Sequence, residues 1–193
     1  LGAHKTLDLV YTGRLMSGAE AVQSGLFSQV LPEGDVTAAT VAANAVFEEI
    51  LPLGDRQDFD DAQRGLIARP EGRILAADGR VLIDFDAFKF VDGAAPPTVN
   101  PSLWRHAQLN AQIGLFKVTD GLYQLRGFDI GNMTIVEGKT GWIVIDALTA
   151  KETAAAALAF ARKHLGDKPV SAVVFSHSHI DHFGGARGVI SPS

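Results

Sequence analysis

The stretch His177-Ser178-His179-Ile180-Asp181-His182 constrains this chain more than any other feature. It puts three imidazoles and one carboxylate within six residues, directly after the apolar run Val170-Ser171-Ala172-Val173-Val174-Phe175. Gly184 and Gly185 follow. The chain has 6 His in 193 residues. At this composition a shuffled sequence would show the His-x-His-x-Asp-His spacing on the order of a few times in ten thousand, so chance is a poor account of it. Groups of this polarity, crowded at the end of an apolar strand, need a partner that satisfies them, and a metal ion does so.

Imidazole suits zinc and similar borderline ions, and a carboxylate adds charge and can hold a second ion or orient its water. His177 and His179 are two apart, so at an extended strand end both lean to one side. Asp181 and His182 follow where the chain turns. The spacing therefore predicts two adjacent metal positions, with His177 and His179 on one and Asp181 and His182 on the other. A metal pair lowers the pKa of a bridging water and clamps an attacked ester, which makes Asp181 the candidate catalytic residue as well as a ligand. Ser178 and Ile180 are expected to point away, as packing or supporting residues. Asp146, at the end of the strand before a predicted helix, is expected to support the metal loop from outside the ligand set. The isolated His4, His106 and His164 read as ordinary core or surface residues.

Beyond the cluster, several motifs carry a resemblance. They are Leu53 to Ala62 (LGDRQDFDDA), Val99 to Arg105 (VNPSLWR), Gly121 to Asp129 (GLYQLRGFD), Asn132 to Ile135 (NMTI) and Gly141 to Asp146 (GWIVID). The cluster with its strand and glycines resembles the signature of the metallo-β-lactamase superfamily. The upstream motifs are similar to the amino-terminal part of the alkyl sulfatases, and the resemblance covers about residues 36 to 190. It implies an α/β chain forming the first half of an α/β/β/α sandwich, led by a short helical segment. It also implies hydrolysis of long-chain alkyl sulfate esters with two zinc ions in the complete enzyme. The remaining ligands, two carboxylates and a His, are expected later in the chain than this window reaches, along with the sulfate-binding residues. The 193-residue chain alone is therefore expected to be inactive or nearly so. Ala147 departs from the pattern, where Pro is expected after the Asp, with an effect expected only on a turn. Alternatives are another hydrolase of the superfamily, a thioesterase or lactonase, and a non-catalytic metal-binding fragment.

Residues 1 to 33 read separately from 34 to 193. Leu7 to Pro32 resembles a segment of the enoyl-CoA hydratases (the crotonase family), without the upstream catalytic carboxylates or oxyanion loop an acyl-CoA enzyme needs. Ser17 with Glu20 three residues on makes a capping box, and Gly25 can close the helix it starts.

Composition excludes some classes. The net charge of −5 with scattered Lys and Arg argues against nucleic acid. The absence of Cys rules out disulfides and thiolate metal sites. No apolar run nears the roughly 20 residues of a membrane span. The first residues lack a signal-peptide pattern, although members of the resembling family are often exported, so the compartment is left open. The expected partner is a small sulfate ester, with a homodimer possible.

The coarse reading places a linker at Pro32 to Asp35 and a helix over 36–50 with Val36, Val41, Val46, Phe47 and Ile50 on one side. It puts a short helix over Asp58 to Ile67 and a hairpin around Ala77-Asp78-Gly79. A helix follows from Ser102 to Ile113, then four strands as two hairpins. A helix over Lys151 to Leu165 leads into a strand, Val170 to Phe175, too apolar to alternate and so expected to be buried on both faces. Trp104, Phe116, Tyr123 and Trp142 are expected in the core, and the Asp55, Asp58, Asp60, Asp61 group at a solvated helix start.

Overall fold

The computed structural model describes residues 17–23 and 33–190. The predicted helix closure at Gly25 and His4 lie outside these residues. The chain divides into two compact units, one of residues 1–50 and 96–100, the other of 51–95 and 101–193.

In the first unit, α1 (Gly18–Gln23) starts as its sequence suggests: the Glu20 amide donates to Ser17 Oγ at 3.1 Å, and the Ala21 amide to Ser17 O at 2.9 Å. The next helix, α2, runs Glu33–Ile50, so from Glu33 on the expected linker is helical. Its expected apolar side is solvent-facing: Val41, Val46, Phe47 and Ile50 are all exposed. The buried group is instead Asn44, whose Nδ2 donates to Pro97 O at 2.9 Å.

The second unit begins with α3 (Gln57–Gln63) and β1 (Leu66–Ala68). Here the expected single helix to Ile67 is corrected. Gly65 takes φ +74, where its missing Cβ lets the chain run against the Lys117 backbone, and the Lys117 amide donates to Gly65 O at 2.7 Å. The helix ends at Gln63, and Leu66 and Ala68 then pair with Phe116 and Leu115. The acidic group at α3 behaves as expected. Asp58 pairs with Arg105 at 2.8 Å, Asp61 with Arg64, and Asp55 Oδ1 accepts from the Gln57 amide.

β2 (Arg73–Leu75) and β3 (Val81–Asp84) form the predicted hairpin, with Gly79 at φ +84 in its turn. After α4 (Pro101–Asn110) come β4 (Gly114–Thr119), β5 (Leu122–Arg126), β6 (Met133–Glu137) and β7 (Trp142–Ile145). Helix α5 (Lys151–Leu165) then crosses to β8 (Val170–Val174). One six-stranded sheet has the order β1-β4-β5-β6-β7-β8, antiparallel except for the parallel β7–β8 pair. That parallel pair is what brings the ends of β7 and β8 side by side, because a helical crossover returns the chain in the same direction.

The core lies between one face of this sheet and α5. Leu115, Leu125, Met133, Ile135, Trp142 and Val144 from the strands meet Ala154, Ala157, Leu158 and Ala161 from the helix. The small alanines allow the helix to approach the strands closely. Phe116 and Trp142 are fully buried, as expected, and Tyr123 and Trp104 partly so. Strand β8 corrects the expectation of burial on both faces. It has one sheet neighbour, β7, and while Val170 and Val173 lean on the core, Ser171, Ala172 and Val174 are exposed. Among the described residues no helix is long and apolar enough to cross a membrane.

Leu125 is fully enclosed at the sheet–helix interface. Leu125→Ala is expected to cost about 2–5 kcal/mol of folding stability in urea denaturation, from lost burial plus a cavity. A loss under about 0.5 kcal/mol, the size of a surface change, would contradict this packing.

Candidate metal centre

After β8 the chain passes through Ser176, His177, Ser178 and His179 without regular structure, then makes a single helical turn, α6 (Ile180–Phe183). A 3-10 turn, Ala186–Gly188, follows. This loop is sewn onto the turn that follows β7. The Asp146 amide donates to Val174 O at 2.9 Å, the Ala147 amide to His182 O at 2.7 Å and the Gly185 amide to Leu148 O at 2.8 Å. A Cβ on Gly184 or Gly185 would collide with carbonyls of Thr149 or Ala147 and Ala150, which explains the paired glycines after the cluster. Ala147 is fully buried and its N–H is used, so the position does more than shape a turn: a Pro there would have no donor for His182.

The turn also stores backbone strain. Asp146 (φ 60) and Leu148 (φ 62) are left-handed without being glycine, at a cost of roughly 1–2 kcal/mol each. For Asp the conformation is tolerated; for a buried Leu it is uncommon. The three cross-loop hydrogen bonds hold it in place, and strain of this kind collects at functional sites.

Asp146 is the hub. Its carboxylate accepts from the Ser176 amide at 2.7 Å, from Ser176 Oγ at 2.8 Å and from His182 Nδ1 at 2.9 Å. Burial alone would raise its pKa, but the hydrogen bonds from the Ser176 amide, His182 and the Ser176 hydroxyl outweigh that and hold it below the usual carboxylate value. His182 is correspondingly raised, mainly by its bond to Asp146, against burial and with help from the charges of Asp181 and Asp146.

These bonds assign tautomers. A carboxylate only accepts, so His182 carries a proton on Nδ1 toward Asp146, while its Nε2 faces a second carboxylate oxygen, Asp181 Oδ2, at 3.1 Å and is the nitrogen a metal would take. Ser176 spends its hydroxyl proton on Asp146, so its oxygen, 3.0 Å from His177 Nδ1, accepts from that ring as well. In the neutral ring His177 Nε2 is then left with a free lone pair. Ligating histidines show this pattern, with the far nitrogen held by a carboxylate or similar group.

The four predicted ligands are brought together. The His177 and His179 rings are 4.5 Å apart between centroids, and those of His177 and His182 3.9 Å. Asp181 Oδ2 lies 3.1 Å from His182 Nε2. The rings pack against one another, and among the described residues no three His, Asp or Glu side chains are arranged around a common point as a metal shell. The donor set nevertheless fits zinc in kind, with imidazole nitrogens of fixed tautomer beside a carboxylate. Ser178 and Ile180 are exposed, so neither packs as expected. His106 is exposed and His164 rests on the Phe160 ring at 4.6 Å, outside the cluster.

Two contributors escaped the sequence reading. Ser176 carries no local signal beyond standing before His177. Asp129, on the loop between β5 and β6, accepts from the Ile130 amide (2.8 Å), the Thr149 amide (3.1 Å), Thr149 Oγ1 (2.7 Å) and Thr153 Oγ1 (2.6 Å). Ala150, the residue before α5, has no polar side chain to cap the helix, and Asp129 places a negative charge there from the loop between β5 and β6.

Residues 126–192 match the Metallo-beta-lactamase superfamily model. The fold is accordingly part of a metallo-β-lactamase-like α/β sandwich. The chain is 51% identical over 173 residues to an (R)-specific secondary-alkylsulfatase of Pseudomonas sp, covering 89% of this chain and 26% of the relative. It is 47% identical over 154 residues to the alkyl/aryl-sulfatase BDS1 of Saccharomyces cerevisiae, covering 79% and 24%. The solved structure of the stereoselective inverting sec-alkylsulfatase Pisa1 from Pseudomonas sp. superposes with a TM-score of 0.77 at 55% identity, over 80% of this chain and 24% of that one. The chain thus spans about a quarter of the length of the relatives it matches.

Two outcomes follow from the hydrogen bonds. In Asp146→Asn the single carbonyl oxygen cannot serve both Ser176 and His182. The amide NH2 group faces His182 Nδ1 and forces the proton to Nε2. Nitrogen NMR of the metal-free chain, at a pH where the ring is neutral, should show Nδ1-protonated His182 in the wild type and Nε2-protonated in the variant; an unchanged tautomer would contradict the assignment. The second concerns Asp129. Burial would raise its pKa, but the hydrogen bonds from Thr153, Thr149 and the Ile130 and Thr149 amides hold it below the usual value. Its contribution to stability is therefore full above the unfolded pKa of about 3.9 and is lost as pH falls through the folded one. Acid unfolding curves should show this loss in the wild type and a shallower dependence in Asp129→Asn.

Proposed function

We propose that this chain supplies part of the metal site of a zinc-dependent hydrolase that cleaves alkyl sulfate esters to alcohol and sulfate. The observation that carries the reading is the Asp146–Ser176–His177–His182 network, which holds the Nδ1 side of two clustered histidines and sets them beside the Asp181 carboxylate. The superfamily generally holds two zinc ions, and relatives named as alkylsulfatases share about half of the aligned residues. In this reading His177 and His179 hold one ion, and Asp181 and His182 the other. Zinc, when bound, lowers the pKa of a water and polarises the sulfate ester. This chain's own residues do the positioning. Asp146 fixes the His182 ring and its tautomer, Ser176 does the same for His177, and Asp181 holds negative charge beside the attacking position.

The segment of residues 1–33 we read as crotonase-like, supported only by its quoted motif and the Ser17 cap.

Zinc titration of the purified chain tests the ligand set. Uptake is expected in the wild type and is expected to be lost in the double variant His177→Ala/His179→Ala, while Asp146→Asn weakens it about 10- to 100-fold. Zinc uptake equal in all three would sink the assignment. To test the reaction, this chain can replace the matching quarter of an alkylsulfatase relative, with sulfate release from dodecyl sulfate as the readout. Sulfate release that disappears in His179→Ala supports the proposal, and release indifferent to His179 opposes it.

A further inference from the structure

We propose that Gly131 is a positioning residue for the metal site, acting on Asp181 through the backbone; the inference rests on the zinc reading above. The loop Gly127–Asn132 leaves β5 and returns as β6. It is fixed at one point by Asp129, whose carboxylate bonds the amide and hydroxyl of Thr149 and the hydroxyl of Thr153 at the start of α5. Two residues on, Gly131 is buried against the metal loop. A Cβ built on it would stand 2.9 Å from the Asp181 carbonyl oxygen and 3.9 Å from Asp181 Oδ2.

No real Cβ tolerates 2.9 Å to a carbonyl oxygen, and the obstacle is backbone, not the end of a flexible side chain. Any side chain at 131 must therefore push the loop or Asp181 aside. The loop side is anchored by Asp129, on a core helix. The Asp181 side belongs to the one-turn helix α6, whose own residues are not buried. The softer partner yields, and it carries a proposed ligand. Gly131 thus sets how closely the metal loop settles against the β5–β6 loop, and with it where the Asp181 carboxylate stands relative to His182 Nε2, 3.1 Å away.

A matched control exists in the same sheet. A Cβ on Gly138 would stand 2.8 Å from Gly141 O, the same crowding at the turn joining β6 to β7. That turn lies at the opposite end of these strands from Asp146. Gly131→Ala and Gly138→Ala should therefore lower the thermal midpoint of the metal-free chain by similar amounts but differ at the metal.

The experiment measures zinc affinity by competition with a chromophoric chelator, and the visible spectrum of the cobalt-loaded chain as a report of ligand geometry. Gly131→Ala is expected to weaken zinc about 10- to 100-fold and to alter the cobalt bands. Gly138→Ala is expected to keep wild-type affinity and spectrum. If circular dichroism shows Gly131→Ala unfolded, Asp129→Asn, which loosens the same loop from α5, carries the same expectation. Wild-type metal uptake with an unaltered affinity and spectrum in the loop variant overturns this inference alone. A wild-type chain that takes up neither ion overturns it together with the zinc reading.

Discussion

The Asp146 carboxylate is the interaction on which the site depends. It stands where β7 ends, beside the parallel strand β8, and it accepts two hydrogen bonds from Ser176 and one from His182. The sheet thereby reaches into a loop that has little burial of its own. Without that acceptor, the chain after β8 would have exposed histidines on an exposed strand end. With it, the His177 and His182 rings are held at Nδ1 and share one location. The strain at Asp146 and Leu148 is consistent with this: an unfavourable backbone survives because three cross-loop hydrogen bonds and the glycine pair leave the turn no other arrangement.

The remainder of the fold serves to hold that turn. Helix α5 crosses from β7 to β8 and so makes the two strand ends neighbours. Its alanine-rich face lies on the sheet, and its start is capped from a distance by Asp129. The same Asp129 anchors the β5–β6 loop to the start of α5, and Gly131 of that loop lies against the Asp181 carbonyl. Two carboxylates, neither a proposed ligand, thus brace the site through their side-chain oxygens, Asp146 on the metal loop itself and Asp129 on the loop beside it.

Much of this was legible in the sequence because local rules and tertiary needs agree there. The His-x-His-x-Asp-His spacing, the Asp-Gly turn at Gly79, the helix ending at Gly166 and the Ser17 cap each follow from short-range chemistry. The adjacency of Asp146 to the cluster was also readable, because a strand–helix–strand pattern implies a parallel pair. What was not legible depends on partners distant in the chain. Asp129 braces the start of a helix that begins only at Lys151, and nothing around it announces that. β1 is three residues long and exists because Gly65 and Lys117 meet. The apolar run of β8 reads as buried on both faces, but burial belongs to neighbours, and this strand has one. The apolar side of α2 is likewise exposed.

The central claim is that imidazoles of the strand-end cluster ligate zinc through Nε2. X-ray absorption at the zinc edge of the loaded chain tests it most directly. The account predicts nitrogen and oxygen scatterers at about 2.0–2.2 Å with the outer-shell pattern of imidazole rings. It further predicts loss of that pattern when His177 and His179 are both replaced by Ala. Zinc held without an imidazole signature, or held identically after that replacement, would contradict it.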